Sequence, residues 1–223
     1  MTDPYDDLIR RIRRRAEIAE TRTDTPPTAL GRPVRISGFA VAGLDLGKLL
    51  RGDPNPAPRA ATPLSEPVSE AALADAEKHL GFALPPLLRR LYAEVADGGF
   101  GPGAGILKLS DVLRTFDDLK KDPPGPRGQK WPGDLLPITH GEPGHDCVNI
   151  GTGAVIFWDE EELASGGSDK VWKRSFKPEA PDLAAWLEKW LGTPSPEDRM
   201  KVMMEAEMVK RRKSTVNVSM PAA

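Results

Sequence analysis

The chain has 223 residues, 39% of them hydrophobic, with 23 prolines, 21 glycines and a formal net charge of −2. That length suffices for one large domain with extensions or two small domains, rich in turns. A single cysteine, Cys147, excludes an internal disulfide and a multi-cysteine zinc site, and no apolar run nears the ~20 residues a bilayer crossing needs.

Residues 1–20 are charged throughout and lack the apolar stretch of a signal peptide, so a cytoplasmic location is the simplest expectation. Within them, 5–20 reads as a short amphipathic helix with Leu8, Ile12 and Ala19 on one side and Arg10, Arg11, Arg13, Arg14 and Arg15 elsewhere. Those arginines are expected on a solvated face or packed on an acidic surface. Residues 21–33 are linker-like, 34–41 alternate as a short strand, and 44–50 fit one or two helical turns. Residues 52–67, with five prolines, read as an extended linker. A basic extension, 1–63, is therefore expected to precede a domain spanning 64–192.

The central segment is better patterned. Ser69 suits the N-cap of a helix carrying Leu73, Ala76 and Leu80 on one face, stopped by Gly81. Pro85 suits the first turn of a second helix with Leu87, Leu88, Leu91, Tyr92 and Val95, ending at Asp97-Gly98-Gly99. Ile106 to Leu109 is a strand candidate, and Ser110 a cap for a third helix burying Val112, Leu113, Phe116 and Leu119. The proline-rich stretch 122–134 is expected as a surface loop. Strands follow over 135–139, 146–150, 154–158 and 171–176, the middle two joined by Gly151-Thr152-Gly153. A closing helix after Pro181 presents Leu183, Trp186, Leu187, Trp190 and Leu191 and stops at Gly192. Helices, then a strand meander, then a helix predicts an α+β fold. Residues 197–213 place Met200, Met203, Met204 and Met208 at helical spacing, an adaptable surface for docking on this domain or a second copy. The last ten residues look disordered.

Charge is unevenly spread. Residues 64–192 hold 21 Asp/Glu against 14 Lys/Arg, a net −7, while both flanks are mildly basic. An acidic domain is a poor nucleic-acid binder and a good match for a basic protein surface. The run Asp159-Glu160-Glu161-Glu162 is the strongest candidate for partner contact, with Trp158 and Trp172 as aromatic anchors beside it, because tight binding needs a desolvated anchor within a steering rim.

Catalytic and cofactor chemistry find little support. His140, His145, Asp146 and Cys147 are close in sequence, but a strand puts His145 and Cys147 on one face and Asp146 on the other. The glycines at 98, 99, 101, 103 and 105 follow a helix and precede a strand, without the Lys-Ser/Thr pair of a phosphate-binding loop. A helix stop explains them better, and no cofactor or metal is expected.

The order of features resembles the SUKH superfamily, whose founding members are the yeast Smi/Knr cell-wall assembly regulators. The resemblance runs over most of 68–191. It begins at Leu80-Gly81, then Leu84-Pro85, Leu91-Tyr92 and Gly98-Gly99 followed by Gly101-Pro102-Gly103. It continues through Leu135-Leu136-Pro137-Ile138 and Gly144-His145-Asp146 into the hairpin ending at Trp158, then Ser175-Phe176 and the aromatic closing helix. Within the family pattern Gly144 and Asp146 are loop-to-strand turn residues. The resemblance implies an interaction domain without an active site. Bacterial members resemble immunity proteins that block toxins deployed against competing cells; fungal members act as regulatory scaffolds. Heavy use of Ala, Arg and Pro points to a high-GC bacterial source, which favours the immunity reading, and the acidity of the domain then implies a toxin domain with a basic surface as partner. A hydrolase using Cys147 and His145 is the remote alternative.

Overall fold

Local signals start most of the helices in the computed structural model, which describes residues 3–19, 21–24 and 63–194 apart from 127, 142, 165 and 167. The strand expected over 34–41, the turns over 44–50 and the methionine-bearing segment 197–213 lie outside the described residues. Helix α1 (Asp6–Glu17) has Asp6 and Asp7 in its first turn and Arg14 and Arg15 in its last, matching the helix dipole at both ends. Helix α2 (Glu70–Leu80) starts where the Ser69 hydroxyl accepts from the Ala72 N–H at 3.3 Å, and stops where Gly81 adopts φ 80°, a left-handed cap. In α3 (Pro86–Glu94) Pro85 occupies the N-cap and Pro86 the first helical position, one residue later than expected.

Helix α4 (Leu109–Lys121) is capped from a distance. Its N-cap is Lys108, and the Leu109 N–H donates to the Asp97 carboxylate at 2.7 Å, so Ser110 lies inside the first turn instead of capping it. That bond ties α4 to the glycine turn after α3. There Gly98 (φ 72°) packs so closely that a Cβ would sit 2.6 Å from the Ile106 carbonyl oxygen. Ile106 makes only an isolated bridge to Thr139, so the strand expected over 106–109 does not form.

Strands β1 (Leu135–Pro137), β2 (Gly144–Asn149), β3 (Val155–Asp159) and β4 (Phe176–Ala180) form an antiparallel meander in the order β1-β2-β3-β4. The β2–β3 turn is held by the Asn149 side chain, which accepts from the Gly151 and Thr152 N–H groups at 3.0 and 2.9 Å. Asp146 is paired with Phe157 inside β2; it is not the turn residue that the family pattern implied.

Two short helices, α5 (Glu161–Ala164) and α6 (Asp169–Arg174), follow β3. The strand expected over 171–176 is therefore a helix up to Arg174, with β4 starting at Phe176. The competing signal is a cap: Ser168 accepts from the Val171 N–H at 3.3 Å, Asp169 opens the first turn, and Lys173 and Arg174 close the last. β4 is an edge strand and so tolerates Pro178. The final helix, α7 (Leu183–Leu191), is capped by Asp182, which accepts from the Ala185 N–H at 2.7 Å.

Seven helices and a four-stranded antiparallel sheet thus make an α+β domain among the described residues. α1 belongs to its core. Leu8, Ile9, Ile12 and Ala16 are buried with Leu88, Leu91, Trp186, Leu187 and Trp190. Each large apolar side chain so buried contributes about 1.5–3 kcal/mol. Charge ties α1 to the domain in both directions: Arg11 forks onto Glu188 and Arg13 donates to the Glu94 carbonyl at 3.1 and 2.7 Å, while Arg90 of α3 reaches back to Asp3 and Asp6 at 2.8 and 2.9 Å. Arg15 lies 4.4 Å from the Trp190 ring centroid and donates to the Trp190 and Thr193 carbonyls. The 122–134 loop also reaches inward, because Trp131 is buried and its indole N–H donates to the Leu135 carbonyl at 2.8 Å.

Candidate functional site

Helical spacing sets Asp111, Thr115, Asp118 and Asp122 along one face of α4 and its C-terminal end. Opposite them the β2–β3 register sets His145 beside Trp158, and the β3–β4 register sets Trp158 beside Phe176. Between these two walls runs an open groove of about 700 Å³, lined also by His140, Glu160 and Lys121. A second depression of about 540 Å³ adjoins it, sharing Glu160 and Pro124 and adding Glu161 and Leu163.

The groove floor is an aromatic stack. The His145 ring lies parallel to Trp158, with centroids 5.6 Å apart and planes 11° apart, and His140 follows with its centroid 5.1 Å from that of His145. His145 Nδ1 is 2.8 Å from the Thr139 carbonyl oxygen. A carbonyl only accepts, so Nδ1 carries the hydrogen and Nε2 keeps its lone pair in the neutral ring. Burial lowers the His145 pKa and His140 pushes the same way, while the Thr139 carbonyl and Glu160 oppose them. Lowered from an ordinary value near 6.5, the ring is neutral around pH 7. Trp131 closes the stack from below, edge-on to Trp158 with centroids 5.3 Å apart.

The acidic run splits in two. Asp159 caps α5, accepting from the Glu161 N–H at 3.0 Å, and pairs with Lys177 at 2.6 Å. Glu162 pairs with Arg174 at 2.7 Å and with Lys177 at 3.0 Å. Hydrogen bonding to Lys177 is the largest influence holding both carboxyls below their ordinary range. Glu160 and Glu161 are exposed and, like Asp118 and Asp122, make no ion pair among the described residues.

The two tryptophans named as anchors are placed in the core, Trp158 2% and Trp172 5% exposed. An exposed anchor is therefore not what either provides. Trp172 is drawn inward because α6 turns it onto Trp131 and Phe176, with centroids at 6.4 and 4.9 Å. Of the residues carrying the family pattern, Leu84 is buried with its N–H on Glu77, and Pro85 caps α3. Gly98 and Gly99 both have positive φ, and Asp146 exchanges hydrogen bonds with Thr139 at 2.9 and 3.0 Å. The acidic face of α4 was not singled out from the sequence, although Asp111, Asp118 and Asp122 recur at spacings that share a helix face.

His140, His145, Asp146 and Cys147 do not form a reactive centre. Cys147 is fully buried, burial pushes its thiol pKa well up, and its Sγ faces the His145 carbonyl at 3.7 Å, not an imidazole nitrogen. Among the described residues no three His, Cys, Asp or Glu side chains gather as metal ligands. No described helix is long and apolar enough to cross a membrane.

An α+β domain with helices packed on an antiparallel meander, presenting an open groove with a carboxylate rim, has the build of a protein-interaction module. The model of the SMI1/KNR4 family (SUKH-1) matches residues 67–189, more than half of the chain, and the chain belongs to that family. Membership is consistent with a protein-binding role, as an immunity protein or a regulator. No curated protein matches the chain.

Proposed function

We propose that this protein is an immunity protein that docks on a basic surface of a cognate toxin domain and occludes it, without making or breaking covalent bonds. The observation that carries this is the groove beside α4, where Asp118, Asp122, Glu160 and Glu161 stand without cationic partners among the described residues. Unpaired carboxylates on one face of a domain of net charge −7 steer a basic partner toward that face and set its orientation. Asp159 and Glu162 act indirectly, holding α5 against β4 so that Glu160 and Glu161 face outward. Trp158 acts from beneath, as the platform on which His145 rests.

The test is co-expression of the full chain with the toxin domain encoded beside it. Growth should be restored, and the two proteins should co-purify in a complex that dissociates as salt rises. A chain that neither binds nor protects, and is instead retained by cell-wall or secretion components, would be a regulatory scaffold.

A further inference from the structure

Resting on that reading, we propose that the groove between α4 and β2–β3 seats an arginine-bearing segment of the partner, one guanidinium lying over the exposed His140 ring and held by Asp118, Asp122 and Glu160. Three features of the groove select this occupant. Its lining holds four carboxylates against Arg114 and Lys121, and Arg114 is already spent on Asp111 at 2.8 Å with its side chain 70% exposed. The site is therefore short of positive charge, which the occupant must bring.

The floor is an aromatic step: the exposed His140 ring is tilted 42° to His145, which Trp158 and the Thr139 carbonyl fix beneath it. The buried, neutral His145 adds no positive charge beneath the site, and the exposed His140 ring offers the flat face. Guanidinium is planar, weakly hydrated and forked, so it can stack on such a face while donating to several carboxylates at once; a lysine ammonium reaches them only as a point charge. Finally, about 700 Å³ falls within the range of about 300–1,000 Å³ typical of ligand sites. That is room for a few residues of extended chain, and the neighbouring depression past Glu160 continues the path toward Glu161.

The experiment uses the full chain and three synthetic probes, hexa-arginine, hexa-lysine and hexa-glutamate, titrated calorimetrically at pH 7.5 and low salt. Hexa-arginine should bind several times more tightly than hexa-lysine, and hexa-glutamate not at all. The isosteric variant D118N/D122N/E160Q should weaken hexa-arginine binding by about tenfold or more. A control of equal charge change away from the groove, E17Q/E66Q/D75N, should weaken it by less than about threefold. His140→Ala should narrow the arginine-over-lysine preference. All these positions are on the surface, so an unchanged unfolding midpoint confirms that each variant is folded.

Equal losses in the two triple variants, no loss in the groove variant, or no preference for arginine would each overturn the proposal. The toxin assay separates it from the function it rests on. If the parent chain protects and the groove triple protects equally well, this site is wrong and the immunity function stands. If no toxin is neutralised but hexa-arginine still needs the groove carboxylates, the immunity function is wrong and the site stands.

Discussion

Gly144→Ala is the sharpest test of how the groove floor is built. Gly144 opens β2 opposite Asp159, and it is not among the glycines with positive φ, so its backbone would suit any residue. The obstacle is steric. A methyl at this position would overlap the Trp158 carbonyl oxygen and lie 2.9 Å from its carbonyl carbon. The overlapping oxygen is the tighter limit, and clearing it requires β2 and β3 to separate locally by more than about 1 Å. β2 has little room to retreat, because Gly144 and Gly141 exchange backbone hydrogen bonds at 2.8 and 3.0 Å and His145 is tied to Thr139. Overpacking of this kind costs about 1–3 kcal/mol, and losing one strand bond adds about 0.5–1.5 kcal/mol. The expected loss is about 2–4 kcal/mol. In urea unfolding, with a slope near 2 kcal/mol/M, the midpoint should fall by about 1–2 M. Hexa-arginine binding should weaken as well, since His145 moves off Trp158. A midpoint within about 0.3 M of the parent would refute the steric account.

Other substitutions separate structural from surface charge. Arg15→Ala should cost about 2–3 kcal/mol, because the charge-assisted bonds to the Trp190 and Thr193 carbonyls and the contact with Trp190 are shielded from solvent, the side chain being 11% exposed. Arg11→Ala, at a half-exposed pair with Glu188, should cost less than about 1 kcal/mol and nothing measurable in 1 M salt; a larger, salt-independent loss by denaturant unfolding would contradict this. Asp146 has its carboxyl pKa raised, chiefly by burial, against the Thr139 hydrogen bond that lowers it. Its contribution is therefore fully present below the unfolded pKa of ~3.9 and is lost as pH rises through the folded value. Asp146→Asn should accordingly be more stable than the parent at pH 7 and lose that advantage on acidification to about pH 3.5; thermal melts across that range would show it, and an advantage independent of pH would refute it. Cys147 should react with a thiol reagent only as fast as the domain opens, because it is fully buried with its thiol pKa pushed up; rapid labelling of the folded chain, followed by absorbance, would contradict that placement.

Much of the fold is readable from short stretches of chain. Ser69 and Gly81 bracket α2, the Leu87-Leu88-Leu91-Tyr92 stripe defines α3, and Asn149 followed by Gly151 marks the β2–β3 turn, each through bonds spanning only a few residues. Departures arise where a competing group intervenes, distant in one case and local in the other. Ser110 has the chemistry of a cap, but Asp97 occupies that role from another turn. Residues 171–176 have a strand-like composition, yet Ser168 and the two carboxyl-side cations favour a helix, and Trp172 gains burial by following it.

The site divides along the same line. Sequence alone determined that the domain is acidic, that it belongs with helices packed on an antiparallel meander, and that Glu160 and Glu161 lie in a charged run at the end of a strand. Only tertiary structure decided which carboxylates remain available. The β3–β4 pairing brings Lys177 onto Asp159 and Glu162, and the packing of α4 beside β1 places Asp118 and Asp122 across from His145. Charge along a chain is a local property, whereas its neutralisation depends on cations that strand register and helix packing deliver from far away in sequence. Trp158 and Trp172 differ from Glu160 for a related reason: an aromatic ring gains most by leaving water, and the fold offered both of them a core to enter.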